Sequence, residues 1–166
     1  MGHDNSRRIS TCNLAERKED VLKNTNDPMF IDQLKCICGA PDEFTTTEID
    51  LQRLGEIKVF QFNGLFTGIQ RVWDEKGYDL YQTGVDYGNS PGLPSTFGGV
   101  SGGGLWNVCL SKQQDNSLAS GTPILCGVAF FETEREGDKR GIICHGVNSI
   151  FEKLYEVVLN KTPASI

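Results

Sequence analysis

The sequence predicts an all-β domain, a six- to seven-stranded antiparallel barrel closed off by a C-terminal α-helix. Three observations carry that expectation. Short runs rich in Val, Ile, Phe, Tyr and Trp recur between turn-forming residues. The chain holds 19 glycines in 166 residues, a surplus that falls mainly in the intervening loops. A helical spacing of apolar residues emerges only near the end. This length suits one domain with a real core and is short for two.

Residues 1–29 are polar and charged, with Glu16-Arg17-Lys18-Glu19-Asp20 followed by an Asn-Asp-Pro break at 26–28. Leu14, Val21 and Leu22 allow a short helix but cannot build a core, so a loosely attached tail is expected, with the barrel spanning 30–166. The first strand is read over 29–38 and ends at Gly39-Ala40-Pro41-Asp42. Residues 56–62 and 65–73 read as two strands joined in a hairpin by Asn63-Gly64, a strong short-turn signal. Residues 78–87 give another strand, and a loop of Gly, Asn, Ser and Pro runs from 88 to 96. Residues 105–110, the wholly apolar run 124–131, and 141–145 complete the strands. Ser149 followed by Glu152 is a capping-box pattern, and Ile150, Leu154, Val157 and Val158 then recur at helical spacing.

The net charge of −6 argues against a nucleic-acid surface, which needs a basic face to neutralise phosphates. Arg7-Arg8 has no apolar stretch behind it, so the N-terminus does not read as a secretory signal. No run approaches the roughly 20 apolar residues of a membrane span. A cytoplasmic location, away from membranes, is expected. The six cysteines, 12, 36, 38, 109, 126 and 144, then read as reduced thiols. Cys109, Cys126 and Cys144 sit inside apolar runs as small core residues do. Cys36 and Cys38 share one face of a strand and lack the spacer of a zinc knuckle. Neither a metal nor a cofactor is expected.

The chemistry concentrates at Ser101, in Phe97-Gly98-Gly99-Val100-Ser101-Gly102-Gly103-Gly104. The G-x-S-x-G pattern belongs to two unrelated hydrolase designs. In the nucleophile elbow the serine joins a buried strand to a helix. Here Pro91, Gly92 and Pro94 precede it and a strand-like run follows, so the elbow fails on both sides. In the other design the serine lies in a glycine-rich loop that enters a barrel strand, the glycines letting backbone N–H groups turn toward an oxyanion.

That loop, the strand after it, the apolar strand 124–131, a last strand and a terminal helix resemble the second barrel of the trypsin-like serine proteases. The resemblance implies Ser101 as nucleophile and the N–H groups of Gly99 and Ser101 as the oxyanion hole. It implies a cleft-lining strand through Cys126, Gly127, Val128 and Ala129, and a specificity pocket shaped by Ser95 and Thr96. Val100 stands where the family commonly has an acidic residue, and Gly104 where proline is frequent. The family's catalytic histidine and aspartate lie on a first barrel upstream, whereas only His3 precedes the serine here. The expectation is a serine-peptidase-like domain, catalytically incomplete as this chain stands.

His145 is a candidate base from within the domain, weighed against a hydrogen-bonded structural histidine. Trp73 and Trp106 read as core, and no spacing marks Asp79 or Asp86 as a triad member. The alternative function is a non-catalytic barrel that binds a protein or peptide. Self-association through the Ser101 face is also expected, with Leu93, Phe97 and Phe130 as apolar anchors.

Overall fold

Alternation of buried and exposed side chains drives the architecture. In β7 (Gly104–Lys112), Leu105, Asn107 and Cys109 turn inward while Trp106 and Val108 lie on the other face. The same pleat organises β1 (Asp32–Cys38), β4 (Leu65–Thr67), β5 (Ile69–Glu75), β6 (Tyr78–Asp86), β9 (Ile124–Glu132) and β10 (Lys139–His145). This computed structural model describes residues 18–23, 32–50, 55–60, 64–154 and 156–157.

The strands form an antiparallel sheet in the order β4-β1-β7-β9-β10-β6-β5, with the short β8 (Leu118–Ser120) pairing β7. The sheet curls into a half-barrel whose edge strands, β4 and β5, are consecutive in the chain and meet at Gly68. The Thr67 hydroxyl donates to the Gly84 carbonyl on β6 at 2.6 Å, and Gly84 N–H to the Gly68 carbonyl at 3.4 Å. Inside the curl lie Ile37, Leu105, Val85, Ile142 and Cys144. Two polar side chains share that interior, each satisfied. The Thr83 hydroxyl donates to the Ile142 carbonyl at 3.2 Å, and Asn107 accepts from Lys35 at 2.6 Å and donates to Gln33 at 3.1 Å.

Three expectations need correction. Residues 56–62 and 65–73 do not form a hairpin. Strand β3 (Gly55–Phe60) pairs instead with β2 (Thr45–Asp50), a strand the sequence does not predict, in a separate ribbon, while β4 pairs with β1. Asn63 itself lies outside the described residues. Gly64 has φ +129 and carries the chain toward β1. The single strand expected over 65–73 is two, divided at Gly68, because its two ends pair with different partners.

The terminal helix also differs. In place of a regular α-helix from Ser149 there is a π-helical segment, Ser149–Lys153, and no helix among the described residues reaches seven; 158–160 fall outside them. Ser149 does not cap it. Its hydroxyl donates to the Asp79 carboxylate at 2.6 Å and to the Asp79 carbonyl at 2.9 Å. The cap comes from β6. Asp79 accepts the N–H groups of Ser149 at 2.6 Å and Asn148 at 3.1 Å, with the Tyr81 hydroxyl at 3.3 Å. Residues 18–23 are helical, Val21 is buried in the core, and Lys18 pairs with Glu152.

Burial pulls the Asp79 carboxyl upward, but the hydrogen bonds from Ser149, Asn148 and Tyr81 outweigh it and hold the group below its ordinary 3.8. A depressed folded-state value means stabilisation that is complete above the unfolded value and fades as pH falls through the folded one. Asp79→Ala is expected to lower stability by about 1–3 kcal/mol at neutral pH and to flatten the acid limb below pH about 4. Urea unfolding across that range checks both; an unchanged acid limb would rule out this role for Asp79.

Candidate functional site

Ser101 is exposed in a loop, 97–103, that runs directly into β7. Val100 anchors this loop from within, buried to 2% exposure. It packs on Gly39 so closely that a Cβ there would lie 2.8 Å from the Val100 side chain. Turn hydrogen bonds join Val100 N–H to the Phe97 carbonyl at 3.0 Å and Gly103 N–H to the Val100 carbonyl at 2.7 Å. Two further bonds tie the loop to β9: Gly102 N–H to the Ala129 carbonyl at 2.8 Å, and Ala129 N–H to the Gly103 carbonyl at 2.9 Å.

Upstream, a polar network fixes the entry to the loop. Glu132, at the end of β9, accepts Phe97 N–H at 2.7 Å and the Thr96 hydroxyl, and pairs with Arg140 at 2.7 Å. Arg140 also donates to the Ser95 carbonyl at 3.1 Å, and Glu43 accepts the Ser95 N–H and hydroxyl at 2.6 and 2.7 Å. Burial raises the Glu132 pKa, but Thr96, Phe97 and Arg140 together lower it further, so the carboxylate is charged at neutral pH.

These bonds leave a pattern in the loop's donors. The N–H groups of Phe97, Gly98, Val100, Gly102 and Gly103 are all engaged. Among the described residues, no acceptor pairs with the N–H of Gly99 or of Ser101. Gly99 and Gly102 have φ of +86 and +88, the left-handed geometry glycine tolerates. Beside Ser101 opens a cavity of about 240 Å³, lined among others by Phe97, Ala129, Phe130, Phe131, Glu132 and Ile142.

Of the expected substrate-contacting residues, Ala129 lines this cavity. Ser95 and Thr96 stand behind it, holding the loop through Glu43 and Glu132. Val128 points to the opposite face of β9, as the pleat requires, and Gly127 is buried against the His145 carbonyl. His145 lines a second cavity of about 330 Å³ with Tyr78, Val128 and Lys153. Its ring stacks on Phe130 at 4.4 Å and meets Tyr78 edge-on at 5.8 Å. Its Nδ1 is buried with no partner among the described residues, and no hydrogen bond there joins it to Ser101. Phe130 separates the two cavities. It is an extra residue on β9, where the pairing with β10 passes from Phe131 directly to Ala129.

The expected surface anchors divide. Phe97 is buried at 4% exposure and belongs to the core, Leu93 is half-buried against it, and Phe130 is exposed at 40%. Phe131, exposed at 59%, is the larger apolar surface and was not anticipated. Glu132 and Arg140 were not among the expected site residues; their opposite charges flanking one hairpin were the available signal. Trp73 and Trp106 are half-buried, Trp73 beneath the Arg71 guanidinium at 5.0 Å. Asp79 caps the terminal segment, and Asp86 closes a turn onto Gly88 and Asn89. Cys36, Cys38, Cys109, Cys126 and Cys144 form no disulfide. Among the described residues, no three metal-ligating side chains cluster and no helix is long and apolar enough to cross a membrane. No known protein family, curated protein or solved structure matches the chain.

A Cβ on Gly99 would lie 2.6 Å from both the Ala40 carbonyl and the Asp42 carboxylate, at a positive φ. Gly99→Ala is therefore expected to cost about 1–3 kcal/mol and to speed amide exchange across 97–103 while the β6–β10 ladder stays protected. Hydrogen exchange by mass spectrometry reads this directly; an unchanged loop would show that the backbone at Gly99 is not held as described.

Proposed function

We propose that this is a serine-peptidase-like domain, built on the plan of a trypsin-like second barrel and lacking a base for its serine among the described residues. One observation carries the reading. Ser101 lies between two glycines of positive φ, and of the loop's N–H groups those of Gly99 and Ser101 are the pair without an acceptor. An acyl-transfer site needs such a pair, because an oxyanion is stabilised by donors that nothing else has claimed. The pairing of strands supports the plan: β1 neighbours both β4 and β7, and β6 neighbours both β5 and β10. Treating β4 and β5 as one strand bent at Gly68 makes a six-stranded ring.

The cavity beside Ser101 suits a medium-sized apolar side chain of a peptide. Ala129, Ile142 and Phe97 are apolar, and the carboxylate of Glu132 is already engaged by Arg140, Thr96 and Phe97. A serine hydroxyl without a base is a weak nucleophile. His145 stacks on Phe130 and lines another cavity, which favours the structural reading of that residue. The second reading, a non-catalytic domain that binds a protein or peptide, is favoured by the exposure of Phe131 at the cavity rim. In either case the partner is a peptide or protein at the Ser101 face.

A fluorophosphonate probe should label the chain slowly, at Ser101, and added imidazole should serve as a diffusible base. The expected acceleration is about tenfold, below the roughly 10²–10⁴-fold of a positioned base, and it should vanish in Ser101→Ala. Mass mapping of the labelled serine over time decides it. Rapid labelling without imidazole would refute the incompleteness. Failure of imidazole to promote labelling at Ser101 would favour the non-catalytic reading.

A further inference from the structure

β1 carries two cysteines that the function proposed above does not use. Cys36 and Cys38 are two apart, so the pleat sends both side chains to the face opposite the buried Ile37. Their Sγ atoms lie 3.7 Å apart, and neither is in a disulfide. Cys36 sits between Phe66 on β4 and Trp106 on β7, whereas Cys38 is paired with Gly104, which offers no side chain. Gly64 approaches so near that a Cβ there would lie 2.8 Å from Cys36 Sγ and 3.2 Å from Cys38 Sγ. The two thiols share an apolar groove of about 380 Å³ with Phe66, Trp106, Val108 and Pro123. Burial and the neighbouring Cys38 push the Cys36 thiol up to about 11, so it rests protonated. Cys38 is the less buried of the two.

We propose that Cys36 and Cys38 form a reversible dithiol–disulfide site that exchanges with low-molecular-weight disulfides of the glutathione type. Cys38 loses its proton and its sulfur attacks one sulfur of the small disulfide, breaking that S–S bond and releasing one small thiolate. Cys36 then gives up its proton, and its sulfur attacks Cys38 Sγ, forming the intrachain bond and expelling the second small thiolate. The two released thiolates take up the two protons. The cysteine pair loses two electrons and the small disulfide gains them.

An S–S bond of about 2.05 Å requires the sulfurs to close by more than an ångström. Two residues of extended strand span roughly 6.6–6.8 Å, at the upper limit that a disulfide bridges. Oxidation therefore shortens β1 locally, and a bond formed under such strain is readily reduced. The site is a labile one, not a structural staple. It lies where β1 meets the Ser101 loop, since Cys38 pairs with Gly104 and Gly39 packs on Val100. It does not depend on what Ser101 does.

The test uses the full chain, folded, in buffers of graded reduced and oxidised glutathione, quenched in acid, then denatured and alkylated. Trypsin cleaving after Lys35 and Arg53 releases both cysteines on one peptide. The expected result is loss of both alkylations together as the oxidised fraction rises, leaving the peptide short of two hydrogens, and their full return in excess reduced glutathione. In Cys38→Ser, Cys36 should stay alkylated at every ratio. Alkylation of both cysteines throughout, a glutathione that stays on either one, a disulfide from either to Cys12, or loss of Cys36 alkylation in Cys38→Ser would each overturn the proposal.

Discussion

The burial of Val100 is the constraint on which the candidate site depends. A residue immediately before an exposed serine is driven into the core, and that single apolar contact turns the chain so that Ser101 faces solvent. Gly39 on the β1 side and Gly103 on the β7 side are glycines because Val100 and the Cys38 carbonyl leave no room for a Cβ. Full burial of a valine contributes about 1.5–3 kcal/mol, enough to offset the backbone ordering of a residue or two of loop. Strands β1, β7 and β9 hold the walls of this socket, so the site is positioned by the sheet and not by the loop's own preferences.

Charge does the work that packing cannot reach. Of the residues just before Val100, Pro94 and Phe97 are buried and Leu93 is half-buried, while Ser95, Thr96 and Gly99 stay exposed. Their course is set instead by Glu132 and Glu43 gripping Thr96, Phe97 and Ser95. The Glu132–Arg140 pair is partly buried, with side chains 29% and 12% exposed. Removing one partner of such a pair strands the other, which costs more than the pair contributes as a unit. The same two residues close the β9–β10 hairpin. The loop that presents Ser101 and the strand that walls its cavity are thus held by one carboxylate.

Much of the strand content could be read from the sequence, and its failures have physical causes. Strands β6, β7, β9 and β10 were legible because Leu, Ile, Val, Phe and Tyr recur in them between turn-forming residues. The serine loop was found because its glycines are so closely spaced. Strand β2 was missed because Thr45-Thr46-Thr47-Glu48 offers no apolar alternation. The expected hairpin at Asn63-Gly64 failed because a local turn signal does not determine which partner a strand takes. The capping box at Ser149 failed because Asp79, 70 residues away, takes the Ser149 N–H and hydroxyl, while Glu152 pairs with Lys18. Val128 and Ala129 do not share one cleft because adjacent residues of a strand face opposite sides, and the two faces of β9 lead to two cavities. Glu132 was out of reach because its importance comes from Arg140, Thr96 and Phe97 meeting it in space.

The central claim is that the unengaged N–H groups of Gly99 and Ser101 form a donor site for an oxyanion or carboxylate, beside a pocket for an apolar side chain. A short peptide ending in leucine, with a free carboxylate in the position of a cleaved product, tests this most directly. Amide chemical shifts recorded as the peptide is added to about 1 mM, the affinity range of a weak contact, give the readout. The account predicts shifts centred on Gly99 and Ser101, with smaller ones at Ala129 and Phe131, and a weaker response when the terminal carboxylate is amidated. Shifts confined to the His145 cavity, or equal responses to carboxylate and amide, would contradict it.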